Sequence, residues 1–173
     1  PVSIAHQNIQ DRRATTCVPW GAGGVLHDYV PFYFAPRSPM LYAIQRGQVH
    51  GVPAMQEPLI YLVSTVQAVE AAGIPFVFTD GHAIMALSEF FDDLAHLDRV
   101  DWPLMRAKMW NNTSTDGDRK RRRSAEFLIH RRFPWTLVHE IAVMTPRSEA
   151  AARAALAGAS HIPRVQVRRS WYF

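Results

Sequence analysis

The stretch His27–Tyr42, HDYVPFYFAPRSPMLY, decides how the rest of the chain is read. Tyr29 to Phe34 is aromatic and β-branched, and Pro36 closes it, which is the pattern of a strand. Ser38 can accept from the first free backbone N–H groups of a helix, and Pro39 suits the first helical position. A short helix is therefore expected from Pro39 through Met40, Leu41 and Tyr42 to about Arg46.

Further along, Pro58–Val63 reads as a second strand, and Ser64 as the cap of a helix, Thr65–Ala72, which Gly73 ends. Phe76–Phe78 reads as a short buried strand that turns out through Thr79, Asp80 and Gly81. Helices are expected at about Ala83–Leu97 and Trp102–Trp110. Asn111–Asp118, NNTSTDGD, has no apolar residue and is a loop. Glu126–His130 is a strand or the end of a helix. Pro134–Glu140 reads as a short helix, Ile141–Met144 as a strand, Ser148–Ala157 as a helix stopped by Gly158, and Val165–Val167 as a last strand. Upstream, Pro1–Gly24 is a polar, helix-like stretch followed by a glycine-rich loop. Strands and helices interleave without strict βαβ alternation, which favours an α+β domain over a doubly wound sheet.

The chain has 173 residues and a mass of 19.6 kDa. Area scaling gives roughly 28,000 Å² unfolded and about 8,600 Å² folded, enough burial for one core and a single domain over residues 1–173. Hydrophobic residues make up 48% and charged residues 20%, which excludes a disordered tail. The single cysteine, Cys17, excludes an internal disulfide framework and a four-cysteine zinc site. No apolar run reaches the length of a membrane span, and no signal-peptide pattern is present. These features point to a soluble, cytoplasmic chain.

Net charge is +4, but its distribution is uneven. Arg119–Arg132, RKRRRSAEFLIHRR, carries a local +6, which leaves −2 for the remainder. Such a patch concentrates polyanions near it. The five basic residues Arg119–Arg123 can equally form a solvated loop. No zinc-protease helix, GxSxG, P-loop or GxGxxG occurs, and the eight histidines show no ligand spacing, so no metal site is expected.

Glu126 stands alone between the basic run and an apolar segment. It has two readings. One is a helical salt bridge to Arg122 or Arg123. The other places it at a strand's entrance facing a cleft, where a carboxylate can stabilise positive charge developing on a sugar. Arg37, at the strand–helix junction, can fork onto a phosphate or a base edge, and nearby Tyr or Met side chains can pack on an unstacked base. Arg12 and Arg13 read, by pattern alone, as a surface pair.

Four segments occur together here in a recognisable order: VPFYFAPRSPMLY (30–42), PFVFTDGHA (75–83), RRSAEFLIHRRFPW (122–135) and the terminal WYF. In order and spacing they resemble the DarT toxins, DNA ADP-ribosyltransferases of bacterial toxin–antitoxin pairs, over about Ser3 to Phe173. The resemblance implies an ADP-ribosyltransferase-like fold, a split, mostly antiparallel β core clasping NAD and flanked by helices. It implies transfer of ADP-ribose from NAD, as co-substrate, onto a base of single-stranded DNA, commonly a thymine ring nitrogen. It also implies a macrodomain antitoxin as partner and a monomeric enzyme. On the motif match, Glu126 corresponds to the catalytic glutamate, and Arg13, in the Gln10-Asp11-Arg12-Arg13 context, to a catalytic arginine that also lies against NAD. Three segments correspond to DNA contacts. The first is Arg37, Ser38, Pro39, Met40, Leu41 and Tyr42; the second is Lys108, Met109, Trp110 and Asn111; the third is Lys120, Arg121, Arg122, Arg123 and Ser124. The stretch from about His82 to Glu126 matches the substrate-recognition loop region. The family opens with a further segment whose strand carries an NAD-holding histidine. The resemblance therefore implies that Pro1–Thr15 is only the latter part of the NAD-binding element.

Two other functions fit the same residues. A non-catalytic single-stranded nucleic-acid binder would use the basic patch and aromatics alone, and would not be stabilised by NAD. An ADP-ribosyltransferase acting on RNA or protein would keep the same catalytic pair.

Overall fold

A computed structural model describes residues 7–49 and 51–173; the portion Pro1–His6 of the expected NAD-binding element lies outside the described residues. The segment His27–Tyr42 folds as expected. β1 (Tyr29–Tyr33) leads into α2 (Pro39–Gln45), whose cap is Ser38, with Ser38 Oγ accepting from the Leu41 N–H at 3.2 Å. Ahead of them lies α1 (Gln7–Thr15). β1 is an edge strand, which tolerates Pro31 because a proline lacks the N–H that an inner strand would need.

β2 (Tyr61–Val63) and α3 (Val66–Ala71) follow, then β3 (Phe76–Thr79), β4 (Phe90–Phe91), α4 (Trp102–Arg106), α5 (Arg119–Arg123) and β5 (Glu126–His130). Of the two readings for Glu126–His130, the strand is correct. β1, β5, β3 and β4 form an antiparallel sheet in that order, with Tyr33 opposite Glu126 and Phe32 opposite Phe127. β5 and β3 are its inner strands, and β5 is buried on both faces. Phe127 and Ile129 join Phe78, Val69 and Met105 on one side, while Leu128 joins Leu26, Val77 and Ala83 on the other.

The remaining elements are β6 (Glu140–Val143), α6 (Pro146–Ala155) and β7 (Arg164–Val167). β6 pairs with β2 antiparallel and with β7 parallel, α6 making the crossover that parallel strands require. The two sheets, mostly antiparallel, face each other across the β1 and β2 edges. Between them is a cavity of about 510 Å³ lined by Phe32, Phe34, Tyr61, Val63, Phe127 and Ile129 among others. The α+β class and the split core follow the expectation.

Four local readings are corrected. Ala83–Leu97 is not a helix: Phe90 and Phe91 leave it to pair with Thr79 and Phe78, and the Phe78 and Phe91 rings stack at 5.2 Å. The Asp80 carboxylate, accepting from the Glu89 N–H at 2.9 Å, closes the intervening loop. The helix begun at Trp102 stops at Arg106, well short of Trp110. Thr65, rather than Ser64, caps α3, while Gly73, at φ +63°, ends it as expected. Between Pro134 and Glu140 only a 3-10 turn, Trp135–Leu137, forms, because Glu140 already belongs to β6. Among the described residues no helix is long and apolar enough to cross a membrane.

Candidate active site and nucleic-acid face

Glu126 is the first residue of β5 and is only 3% exposed. Its backbone N–H donates to Thr79 Oγ1 at 3.1 Å, and that hydroxyl donates to the Gly81 carbonyl at 2.6 Å. The strand's entrance is thereby tied to the turn after β3. The carboxylate points to the face that carries α1. There Arg13 Nη1 donates to Oε2 at 2.8 Å, and the Ala83 N–H donates to Oε1 at 3.1 Å. His82 Nδ1 approaches Oε1 to 3.3 Å without hydrogen-bond alignment, so it is buried with no bonded partner. The partner of Glu126 is therefore Arg13, 113 positions away, and neither Arg122 nor Arg123.

Arg13 reaches this position from the last turn of α1, where a cation also suits the helix's negative end. It is 7% exposed, and its Nη2 donates to the Leu26 carbonyl at 3.4 Å. Arg12 Nη2 donates to the Ile84 carbonyl at 2.6 Å. Arg13 is thus no surface residue, whereas Arg12 is exposed and holds the Ile84 carbonyl.

Burial by itself pushes the Glu126 carboxyl up. The His82 ring beside Oε1 and the Arg13 guanidinium beside Oε2 outweigh it and hold the group below the ordinary carboxylate range. Glu126 is an anion at neutral pH. Tyr33, its register partner, lies on the same face. Burial of the phenol, with the Glu126 charge adding to it, pushes the Tyr33 pKa up, so Tyr33 stays a neutral O–H donor. His82 and Tyr33 were not singled out from sequence. The signal for Tyr33 was available in the alternation of β1; for His82 only the resemblance to a substrate loop pointed nearby.

Two of the three segments expected to contact DNA converge. Tyr42, on α2, meets Trp110 edge-on at 5.7 Å and Phe173 at 5.1 Å. Arg37 sits at φ +56°, its guanidinium 4.5 Å from the Phe173 ring centre and its Nε buried without a partner. Tyr42, Lys108, Met109 and Asn111 are exposed, Pro39 and Met40 partly so. Ser38, Leu41 and Trp110 are buried, so their contribution is to shape this face.

The third segment differs from the expected run of phosphate-facing charges. Its arginines are turned inward. Arg123 is 4% exposed and donates to the carbonyls of Leu104 at 2.8 Å, of Pro36 at 2.6 Å and of Met105. Arg122 pairs with Asp101 at 2.8 Å and with Asp116. Arg121 pairs with Asp80 and Asp118. Ser124 is buried, its hydroxyl donating to the Lys120 carbonyl. Lys120 alone in this segment is exposed. The basic run is therefore neither a solvated loop nor a bare cationic strip. Of the acids that pair with it, Asp116 and Asp118 stand in the adjoining loop, whereas Asp80 and Asp101 lie 41 and 21 positions away, beyond any local reading. Arg119 ties α5 to the second segment, donating to the carbonyls of Asn111 at 2.9 Å and Met109 at 2.8 Å. Among the described residues no group of three or more His, Cys, Asp or Glu is placed to hold a metal ion.

A family model described as "ssDNA thymidine ADP-ribosyltransferase, DarT" matches residues 1–173. A DNA ADP-ribosyl transferase of Thermus aquaticus is 46% identical over 173 residues, covering 99% of this chain and 75% of the relative. The structure of Thermus sp. 2.9 DarT in complex with ADP-ribosylated single-stranded DNA superposes with a TM-score of 0.94 at 44% identity, covering 99% of this chain and 81% of that one. The same Thermus protein in complex with NAD+ gives a TM-score of 0.87 at 42% identity, over 94% and 81% of the two chains.

Proposed function

The chain belongs to the DarT family of single-stranded-DNA thymidine ADP-ribosyltransferases, and from that premise we propose how its residues divide the work. The enzyme transfers ADP-ribose from NAD to a thymine ring nitrogen in single-stranded DNA. The observation that carries this reading is the buried Glu126–Arg13 pair, with the His82 ring nitrogen 3.3 Å from the same carboxylate. An anion, a cation and a histidine ring nitrogen, meeting at one strand's entrance, are the polar set that a ribosyl group and a weakly acidic base would need.

NAD supplies the ribosyl group and a neutral leaving group, nicotinamide. As the ribose–nicotinamide bond breaks and the bond to the thymine ring nitrogen forms, positive charge rises on the ribose and the ring N–H gives up its proton, which passes finally to solvent, so the products are ADP-ribosylated thymine, nicotinamide and one proton. Glu126, held ionised, stabilises that positive charge. Arg13 fixes the carboxylate and offers its own charge to the thymine carbonyl oxygens as negative charge builds on the ring. Tyr42, Met109 and Arg37 receive the strand, and Lys120 neutralises phosphate. A paired thymine hides its ring N–H, so single strands are the substrate.

This assignment carries a biological setting with it. A DNA-modifying toxin acts in the cytoplasm, and its partner is a macrodomain antitoxin that removes the modification. The test is mass spectrometry of thymine-containing oligonucleotides incubated with the protein and NAD. One ADP-ribose should be added to single strands and far less to duplex. Equal modification of both, or modification of protein alone, would contradict the reading.

A further inference from the structure

Arg121 has a place in the transfer step that its neighbours lack. A guanidinium has five N–H donors in a fixed fork. Its Nε donates to both Asp118 oxygens at 2.9 and 3.0 Å, and its Nη2 donates to Asp118 Oδ2 at 2.8 Å. Its Nη1 donates to both Asp80 oxygens at 3.0 Å and to Ser88 Oγ at 3.1 Å. Almost nothing is left for a phosphate. The groups it holds bracket the loop Gly81–Ser88, and its own backbone carbonyl accepts from the His82 N–H at 3.0 Å. Ser88 Oγ in turn donates to the His82 carbonyl at 2.8 Å. Gly81 lies flat against this fork: a Cβ there would come within 2.3 Å of Nη1.

The inner side of the same loop is the catalytic contact. Ala83 gives its N–H to Glu126, His82 brings its ring to the same oxygen, and Arg12 holds the Ile84 carbonyl. One loop is thus clamped from outside by Arg121 and from inside by Glu126 and Arg12. We propose that Arg121 is a positioning residue for ADP-ribose transfer and not a DNA contact. It locks the loop Gly81–Ser88 so that the Ala83 N–H and the His82 ring face the Glu126 carboxylate. The proposal rests on the assignment of Glu126 as the catalytic carboxylate. Adjacent residues on one turn then divide the labour, Lys120 meeting the strand and Arg121 holding the site.

The test compares Arg121→Ala, Arg121→Lys and Asp80→Asn with Lys120→Ala in the full chain. Two quantities are read: the affinity for a thymine-containing single strand across a salt series, and the single-turnover transfer rate at saturating NAD and DNA. Misplacing a catalytic group by about 1 Å costs on the order of 100-fold. Arg121→Ala should therefore lower the saturating rate by about 10- to 100-fold while leaving DNA affinity within about two-fold and its salt slope unchanged. Arg121→Lys should recover part of the rate by keeping one ion pair. Lys120→Ala should instead weaken single-strand affinity and reduce the salt slope by about 0.7, as for one phosphate contact on a single strand.

Asp80→Asn separates the two roles even where Arg121→Ala does not fold. It weakens the clamp but removes a negative charge, so a phosphate contact at Arg121 would give tighter DNA binding and a normal rate, whereas the clamp requires a slower rate. A normal saturating rate in Asp80→Asn, or an affinity and slope loss in Arg121→Ala like that of Lys120→Ala, overturns the proposal. Absence of transfer by the unmodified chain would instead overturn the catalytic reading beneath it.

Discussion

Glu126 and Glu140 invite comparison. Each is the first residue of a strand, β5 or β6, each is buried, and each is paired with arginine. Both carboxyls are held below their ordinary range. For Glu140 the hydrogen bond from Arg168 is the main cause, with Arg164 adding to it. For Glu126 burial opposes ionisation, and His82 and Arg13 overcome it together. The difference lies in how completely each is satisfied. Glu140 receives Arg164 at 2.5 Å on one oxygen and Arg168 on both, at 3.0 and 3.2 Å. The arginines reach it from the neighbouring strand and its end, and they stitch β6 to β7. Glu126 has one arginine, one backbone N–H and a histidine nitrogen that approaches without bonding. A perturbed buried carboxylate is therefore not by itself a functional sign; Glu126 differs from Glu140 in facing a histidine as well as an arginine.

The largest expected effect sharpens this contrast. Glu126→Gln keeps the shape and removes the charge, so transfer should fall by on the order of 10³-fold, the scale of losing a preorganised electrostatic partner. Single-strand affinity should stay the same or rise slightly, since a negative charge is lost. Single-turnover rates beside binding isotherms on one preparation measure both. A variant that retained full transfer would make Glu126 a structural carboxylate like Glu140.

The comparison also shows what a sequence discloses. β1, the Ser38 cap and the Gly73 stop were legible because their causes are local: a strand pattern, a hydroxyl, a backbone turn. The helix expected over Ala83–Leu97 failed because Phe90 and Phe91 answer to Phe78 and Thr79 rather than to their own neighbours. At the site, Glu126 was conspicuous as a lone acid among bases, but its two meanings could not be separated until Arg13 arrived from α1. The resemblance to a family joined those two residues. Neither it nor the charge pattern disclosed that Arg121, Arg122 and Arg123 turn inward, since Asp80, Asp101 and the Pro36 carbonyl are distant in sequence.

A smaller effect is expected at the second carboxylate. Glu140→Gln leaves Arg164 and Arg168 without their anion and loosens the β6–β7 seam. Thermal unfolding should move down by a few degrees. The saturating transfer rate of the folded protein should be unchanged, because Glu140 is held by Arg164 and Arg168 whereas Glu126 is held by Arg13, His82 and Ala83. Calorimetry and single-turnover rates at a temperature below both midpoints check this. A rate loss comparable to that of Glu126→Gln would mean that the two carboxylates act as one unit, and the contrast would break.

Acid pH probes the two carboxylates together and should separate them most finely. Both have folded pKa values lowered below the ordinary glutamate value near 4.3. For a lowered carboxylate the linked stability is fully present above the ordinary value, and it is lost as pH falls through the folded one, because the unfolded chain binds the proton first. The stability advantage of the unmodified chain over Glu126→Gln should therefore shrink as pH falls below about 4, and so should its advantage over Glu140→Gln. Unfolding midpoints measured from pH 7 down to about pH 3 give both differences. Activity should follow only one of them: the acid limb of the saturating rate is expected below the ordinary glutamate range, and Glu140→Gln should not move it. If the advantage over Glu126→Gln instead grew on acidification, the Glu126 carboxyl would be raised and not lowered. Burial would then have outweighed Arg13 and His82, and an ionised Glu126 at the ribose would no longer be tenable.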